Sequence, residues 1–161
     1  MRINYGTEMP EAQEAMIHLQ HVVEGSGLEP GLLELVKIRA SQINGCAFCL
    51  DMHTKDALAI GEEPQRLHLL AAWREAPGFT VRERAALAWC ESLTLIADTG
   101  APDATYEEVA ARFSPREMVA LTTAIIVING WNRLAVGFRS PVGSYRSKRQ
   151  PAHLTEVPTH Q

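Results

Sequence analysis

The chain has 161 residues, the size of one ordinary domain, and its 46% hydrophobic content can fill a core without disulfide staples. A net charge of −4 and a pI near 5.9 exclude the basic footprint that nucleic-acid binding requires. No run approaches the ~18 consecutive apolar residues of a membrane span, and Met1-Arg-Ile-Asn-Tyr5 lacks the apolar stretch of a signal peptide, so the expected compartment is the cytoplasm.

Helix punctuation is dense along the chain. Pro10 suits the first turn of a helix running to about Glu24, which Gly25-Ser-Gly27 ends. Pro30-Gly31 opens a second, carrying Leu32, Leu33, Leu35, Val36 and Ile38 toward Asn44-Gly45. A third begins near Cys46 and stops at Gly61, and Pro64 starts a short one through Trp73. After the Pro77-Gly78 break, Thr80 with Glu83 and Ser114 with Glu117 form capping-box patterns, the latter with Pro115 at the first helical position. Between the boxes, Ala86, Leu87, Trp89, Cys90, Leu93 and Ile96 recur at helical spacing, and a further helix fits near Pro102 to Arg112. Val119 to Ile128 is rich in β-branched residues, yet its cap and length favour a fully buried helix over a strand. No convincing period-two strand occurs, so the expected class is all-α. Residues 1–140 form the helical domain; the polar, proline-punctuated residues 141–161 form an arm or loose tail. The basic stretch Arg139 to Arg149 fits an exposed tail better than a binding patch.

A weak internal echo links Ile43-Asn44-Gly45 to Ile128-Asn129-Gly130, an offset of 85 residues. It is compatible with a duplicated two-helix unit in which only the first copy kept its thiols, and equally with chance, since Asn-Gly is common at turns.

Cys46 and Cys49 carry the chemistry. Three apart at a helix start, their sulfurs sit near the first turn, close enough to bridge, where free N–H groups and the helix dipole favour a thiolate. Cys-x-x-Cys pairs at helix N-termini lower a thiol pKa from ~8.5 to about 3.5–7.5, and the partner cysteine can resolve a sulfenic acid. In a reducing compartment such a pair suggests chemistry or metal rather than a structural bridge. His53 follows Cys49 by four residues on the same helix face and can relay a proton. Glu34, on the preceding helix, interrupts an apolar stretch and lies either on its solvated edge or aimed at a polar pocket. A zinc site of Cys46, Cys49 and His53, or two idle small residues, are the blander readings; Cys90, alone in an apolar helix, reads as core.

Glu34, Cys46-x-x-Cys49 and His53, within the stretch from Leu33 to His53, together resemble the signature of the alkylhydroperoxidase D (AhpD)-like proteins of the carboxymuconolactone decarboxylase superfamily. The resemblance is sharp over about residues 30–60. It implies an AhpD-like helical bundle in a homo-oligomer, commonly a trimer or hexamer, and a peroxidase using no cofactor beyond a redox-active Cys46–Cys49 disulfide. Carried over, Cys49 would be the peroxidatic thiol and Cys46 the proton donor and resolving thiol. Glu34 and His53 would form the proton relay, and an external dithiol or disulfide reductase would restore the thiols. One position departs: AhpD proper has a histidine immediately before the second cysteine, and this chain has Phe48, which removes one relay member. The alternatives are a thiol–disulfide exchange or redox-sensing protein with a protein partner, and a lactone-acid enzyme of the decarboxylase branch.

Overall fold

The computed structural model describes residues 1–149, and among these every regular element is helical. In chain order they are α1 (Tyr5–Glu8), α2 (Pro10–Glu24), α3 (Pro30–Ile43), α4 (Ala47–Ala59), α5 (Pro64–Leu69) with a 3-10 turn Leu70–Ala72, α6 (Val81–Thr94), α7 (Ile96–Thr99), α8 (Asp103–Ala110) and α9 (Pro115–Phe138). Proline stands in the first turn of α2, α3, α5 and α9, where its missing N–H costs nothing. Both capping boxes form, Thr80 with Glu83 and Ser114 with Glu117.

α3 is the central element. It buries residues on all sides, as a helix apolar all round must, and packs against α4, α6 and α9. Leu32, Leu33, Val36 and Ala40 join a cluster with Trp89, Cys90, Leu121, Ile125 and Ile128; Leu35 and Ile38 face a second one with Leu70, Trp73 and Leu87. The functional side chains therefore sit against the most enclosed helix of the fold.

α9 departs from the sequence reading in two ways. It is not fully buried: Val119 is 67% and Ile126 59% exposed. It also runs unbroken through Asn129-Gly130, whereas Asn44-Gly45 ends α3. The two dipeptides nevertheless meet, since Asn44 Nδ2 donates to Asn129 Oδ1 at 3.0 Å and to Asn132 Oδ1 at 2.8 Å. By length and mean hydropathy, 1.4 over its most apolar stretch, α9 could cross a membrane, but it packs here as a core helix against α2, α3, α4 and α6.

Candidate active site

The site starts at a tight elbow. Gly45, at φ +64°, takes the left-handed conformation that ends α3 without a Cβ penalty. Its N–H bonds Gln42 O at 3.3 Å and the Cys46 N–H bonds Ser41 O at 3.0 Å, the paired contacts of a Schellman turn. Cys46 is then at once the last residue of that turn and the N-cap of α4. Its sulfur accepts the Cys49 N–H at 3.3 Å, the place a serine or aspartate oxygen usually fills.

The two thiols are buried and electrostatically unlike. A hydrogen bond from the Cys49 thiol is the largest influence on Cys46, and against burial it and the neighbouring N–H groups pull Cys46 down to about 7. Cys49 is pushed up, first by that same hydrogen bond, then by burial and by the charge on Cys46. The pair thus gives up one proton near neutral pH and keeps the second. A thiol titrating at about 7 is half ionised at neutral pH, roughly fifty-fold more than one left near 9. The resting charge falls on Cys46, whereas the resemblance gives the attacking role to Cys49. A cleft of about 260 Å³, bounded by Phe48, Val136, Arg139 and Val142, reaches Cys46. A larger one of about 600 Å³ lies by Pro30, Gly61 and Arg66 and is lined by no cysteine.

Glu34 is fully buried and aimed at a polar pocket rather than at a solvated edge. Its Oε2 lies 2.8 Å from His53 Nδ1, and its Oε1 accepts from Lys37 Nζ at 3.0 Å. Burial alone would raise its pKa; the hydrogen bond and charge of His53, then those of Lys37, outweigh burial and hold it at about 2. An ionised carboxylate only accepts, so Nδ1 carries the hydrogen and Nε2 is the nitrogen free to exchange a proton. Of the sequence-predicted residues, α4 supplies Cys49 and His53 one turn apart, its cap supplies Cys46, and α3 supplies Glu34.

Three further residues belong to this region. Lys37, three after Glu34, is not singled out in the sequence reading, although its helical spacing is a signal for it. Asp56 continues the 46, 49, 53 stripe by another three residues and is buried. Arg149 comes from the segment expected as an arm or loose tail; its described part, residues 141–149, lies along α4, and residues 150–161 lie outside the described residues. Arg149 therefore does not fit the exposed basic tail expected for Arg139 to Arg149: its guanidinium meets Glu24 at 2.9 Å and Glu34 at 3.4 Å. One arginine among the basic residues of a polar tail carries no sequence signal for that placement.

Oxygen and nitrogen atoms of Glu34, His53 and Asp56 lie within 4.8 Å of one another, a donor set that a divalent cation could use. Lys37 and Arg149 already stand on these carboxylates, so a metal would have to displace two cations. Cys90 is remote in function as in sequence: burial pushes it up to about 12, and it donates to Val36 O inside the core.

An all-helical bundle with a Cys-x-x-Cys elbow backed by a buried Glu–His pair is an AhpD-like protein. The chain belongs to the carboxymuconolactone decarboxylase family, which matches residues 10–92. It is 38% identical over 143 residues to the uncharacterized protein YdfG of Bacillus subtilis (strain 168), spanning 89% of this chain and 97% of that one. Among solved structures it resembles ATU0492 of Agrobacterium tumefaciens, a protein of unknown function proposed to be the antioxidant defence protein AhpD. The two share 49% identity and a TM-score of 0.86, over 89% of this chain and 99% of that one. The debrominase Bmp8 shares the fold alone, with TM-score 0.77 and 16% identity over 86% of this chain and 74% of its own.

Proposed function

We propose that the protein is a thiol-dependent peroxidase acting on an alkyl hydroperoxide, and that the asymmetric Cys46–Cys49 pair carries the reaction. The supporting observation is the elbow, which stabilises a charge on Cys46 while keeping a proton on Cys49. The Cys46 thiolate attacks the terminal peroxide oxygen and the O–O bond breaks. The leaving alkoxide takes a proton from solvent, and Cys46 becomes a sulfenic acid. Cys49 then gives its proton to His53 Nε2 and attacks the Cys46 sulfur. The S–O bond breaks, and the departing hydroxide takes the proton from His53 and leaves as water. Two thiols and a hydroperoxide have become a disulfide, an alcohol and water; an external dithiol resets the pair by exchange. Glu34 holds the imidazole in the tautomer this needs.

The test is peroxide consumption with several dithiol reductants. Wild type should turn over, and both Cys46→Ser and Cys49→Ser should lose the sustained rate. A negligible wild-type rate, with rapid reduction of a protein disulfide, would shift the assignment to thiol–disulfide exchange. Phe48, where AhpD proper has histidine, favours that second reading. A buried thiol, Cys46, lining the cleft with Cys49 behind it favours redox chemistry over decarboxylation of a lactone acid.

A homo-oligomer belongs to the same proposal. Tyr106, Val119 and Ile126, all more than half exposed, line one apolar cleft where α8 meets the outer side of α9, and a second copy would cover it.

A further inference from the structure

Residues 141–149 form no helix or strand, yet they are tied to the helical body at successive points. The Gly143 N–H donates to Asp51 at 3.3 Å and Lys55 donates to the Tyr145 carbonyl at 3.2 Å. The Tyr145 hydroxyl donates to Asp56 at 2.8 Å and the Ser147 hydroxyl at 2.6 Å. Arg149 ends the run with Nη2 at 2.9 Å from Glu24 and 3.4 Å from Glu34, and Nε at 3.7 Å from Asp56.

The peroxidase chemistry has no use for Asp56, which is only 5% exposed. A buried carboxylate is costly unless donors surround it, and among the described residues its close side-chain donors come from this one segment. Asp56 is thus a clamp that seats the strap and, with it, Arg149.

We propose that Arg149 is a positioning residue for the Glu34–His53 pair, and that residues 141–149 are the strap that delivers it. The proposal rests on the dithiol reading above. Among the described residues, the charged and titratable groups around the pair are Glu34 and Lys37 from α3, Glu24 from α2, Asp56 from α4, with Cys49 one turn before His53, and Tyr145 and Arg149 from the strap; from α9 the neutral Asn132 reaches the cysteines. Three carboxylates, Glu24, Glu34 and Asp56, face two cations, Lys37 and Arg149. Without Arg149, Lys37 is the one cation left on these carboxylates among the described residues, and the pocket beside the imidazole becomes more negative. A protonated imidazole cannot accept the Cys49 proton. Arg149 keeps it available as a base.

Dithiodipyridine tests this without peroxide. The Cys46 thiolate attacks the reagent disulfide and releases one thiopyridone. Cys49, once deprotonated, displaces the second and closes the Cys46–Cys49 bond. The two releases read the two thiols separately. Arg149→Gln should leave the first phase unchanged, slow the second roughly tenfold near neutral pH and move its pH midpoint upward. Arg149→Lys should restore most of the rate, and Tyr145→Phe should act in the same direction as Arg149→Gln through a loosened strap. The exposed Lys148→Ala serves as control. A wild-type second phase and pH midpoint in Arg149→Gln would overturn the proposal, whatever the change in melting temperature. Peptide mapping of the first adduct tests the Cys46 assignment separately, so a failure of that reading is distinguishable from a failure of the strap.

Discussion

His53 and Glu34 stand nineteen residues apart on different helices, yet Nδ1 and Oε2 are 2.8 Å from each other in a site closed to solvent. That contact fixes which imidazole nitrogen exchanges protons. Glu34→Gln keeps the shape but replaces a charged acceptor with an amide that can turn its NH₂ toward the ring. The second thiol release with dithiodipyridine should then slow by about tenfold or more, the scale of one charge-assisted hydrogen bond. The first release should change little, because the Cys49 thiol and the N-cap of α4, rather than the relay, stabilise the Cys46 charge. Equal slowing of both phases would place the relay at the wrong thiol.

Thiol reactivity should rank Cys46, then Cys49, then Cys90. Substoichiometric iodoacetamide at neutral pH should label Cys46 first, with a rate that rises through pH 7 as its proton leaves. Cys49→Ala should retain labelling, with the midpoint moved upward because the hydrogen bond from the Cys49 thiol is the largest influence on Cys46. Cys90 should label only after unfolding. Peptide mapping that finds Cys49 modified first would reverse the two roles and restore the order the family resemblance implies.

The helices were legible because their ends are written in local chemistry. Prolines in first turns and two capping boxes act within a few residues, so Pro10–Glu24 and the starts at Pro30, Pro64 and Pro115 follow from sequence. Cys46, Cys49, His53 and Glu34 were legible from type and spacing. What escaped depends on tertiary contact. The exposure of Val119 and Ile126 is set by where α2, α3, α4 and α6 lie, and β-branched composition cannot report it. Asn129-Gly130 looks like a turn, but the Asn44 amide and its neighbours hold it inside α9. Arg149 has no periodicity at all; its position follows from the Asp56 clamp on the strap and from Glu24 and Glu34, which are tertiary contacts.

Acid should reveal the Glu34 contact in stability as well. Its pKa lies at about 2 in the folded chain, below the ordinary carboxyl value of 4.5. A carboxyl depressed on folding stabilises the fold above its unfolded pKa, and that contribution fades as pH falls toward the folded pKa. The difference amounts to about 3 kcal/mol at neutral pH. Urea unfolding should therefore show wild type more stable than Glu34→Gln at pH 7, with the gap closing between pH 4.5 and 2. Other depressed carboxyls, Glu91 and Glu117 among them, titrate in both proteins and cancel in the gap. A gap that stays constant from pH 7 to pH 3 would count against an ionised, paired Glu34.

The exposed side of α9 makes the last prediction. Val119 and Ile126 lie seven residues apart, two helical turns, and share a cleft with Tyr106 and Met118. Burying one such side chain fully is worth about 1.5–3 kcal/mol, so two on each copy give a useful fraction of a subunit interface. Val119→Lys with Ile126→Lys puts two charges where the second copy would sit and removes nothing from the core, since both residues point outward. Light scattering should show an oligomer for wild type and a smaller species for the variant, with helical circular dichroism intact in both. The two-phase thiol reaction should survive in that smaller species, because the described cysteines, relay and strap all come from one chain. If the double variant keeps the wild-type mass, the interface lies elsewhere and this face needs another explanation.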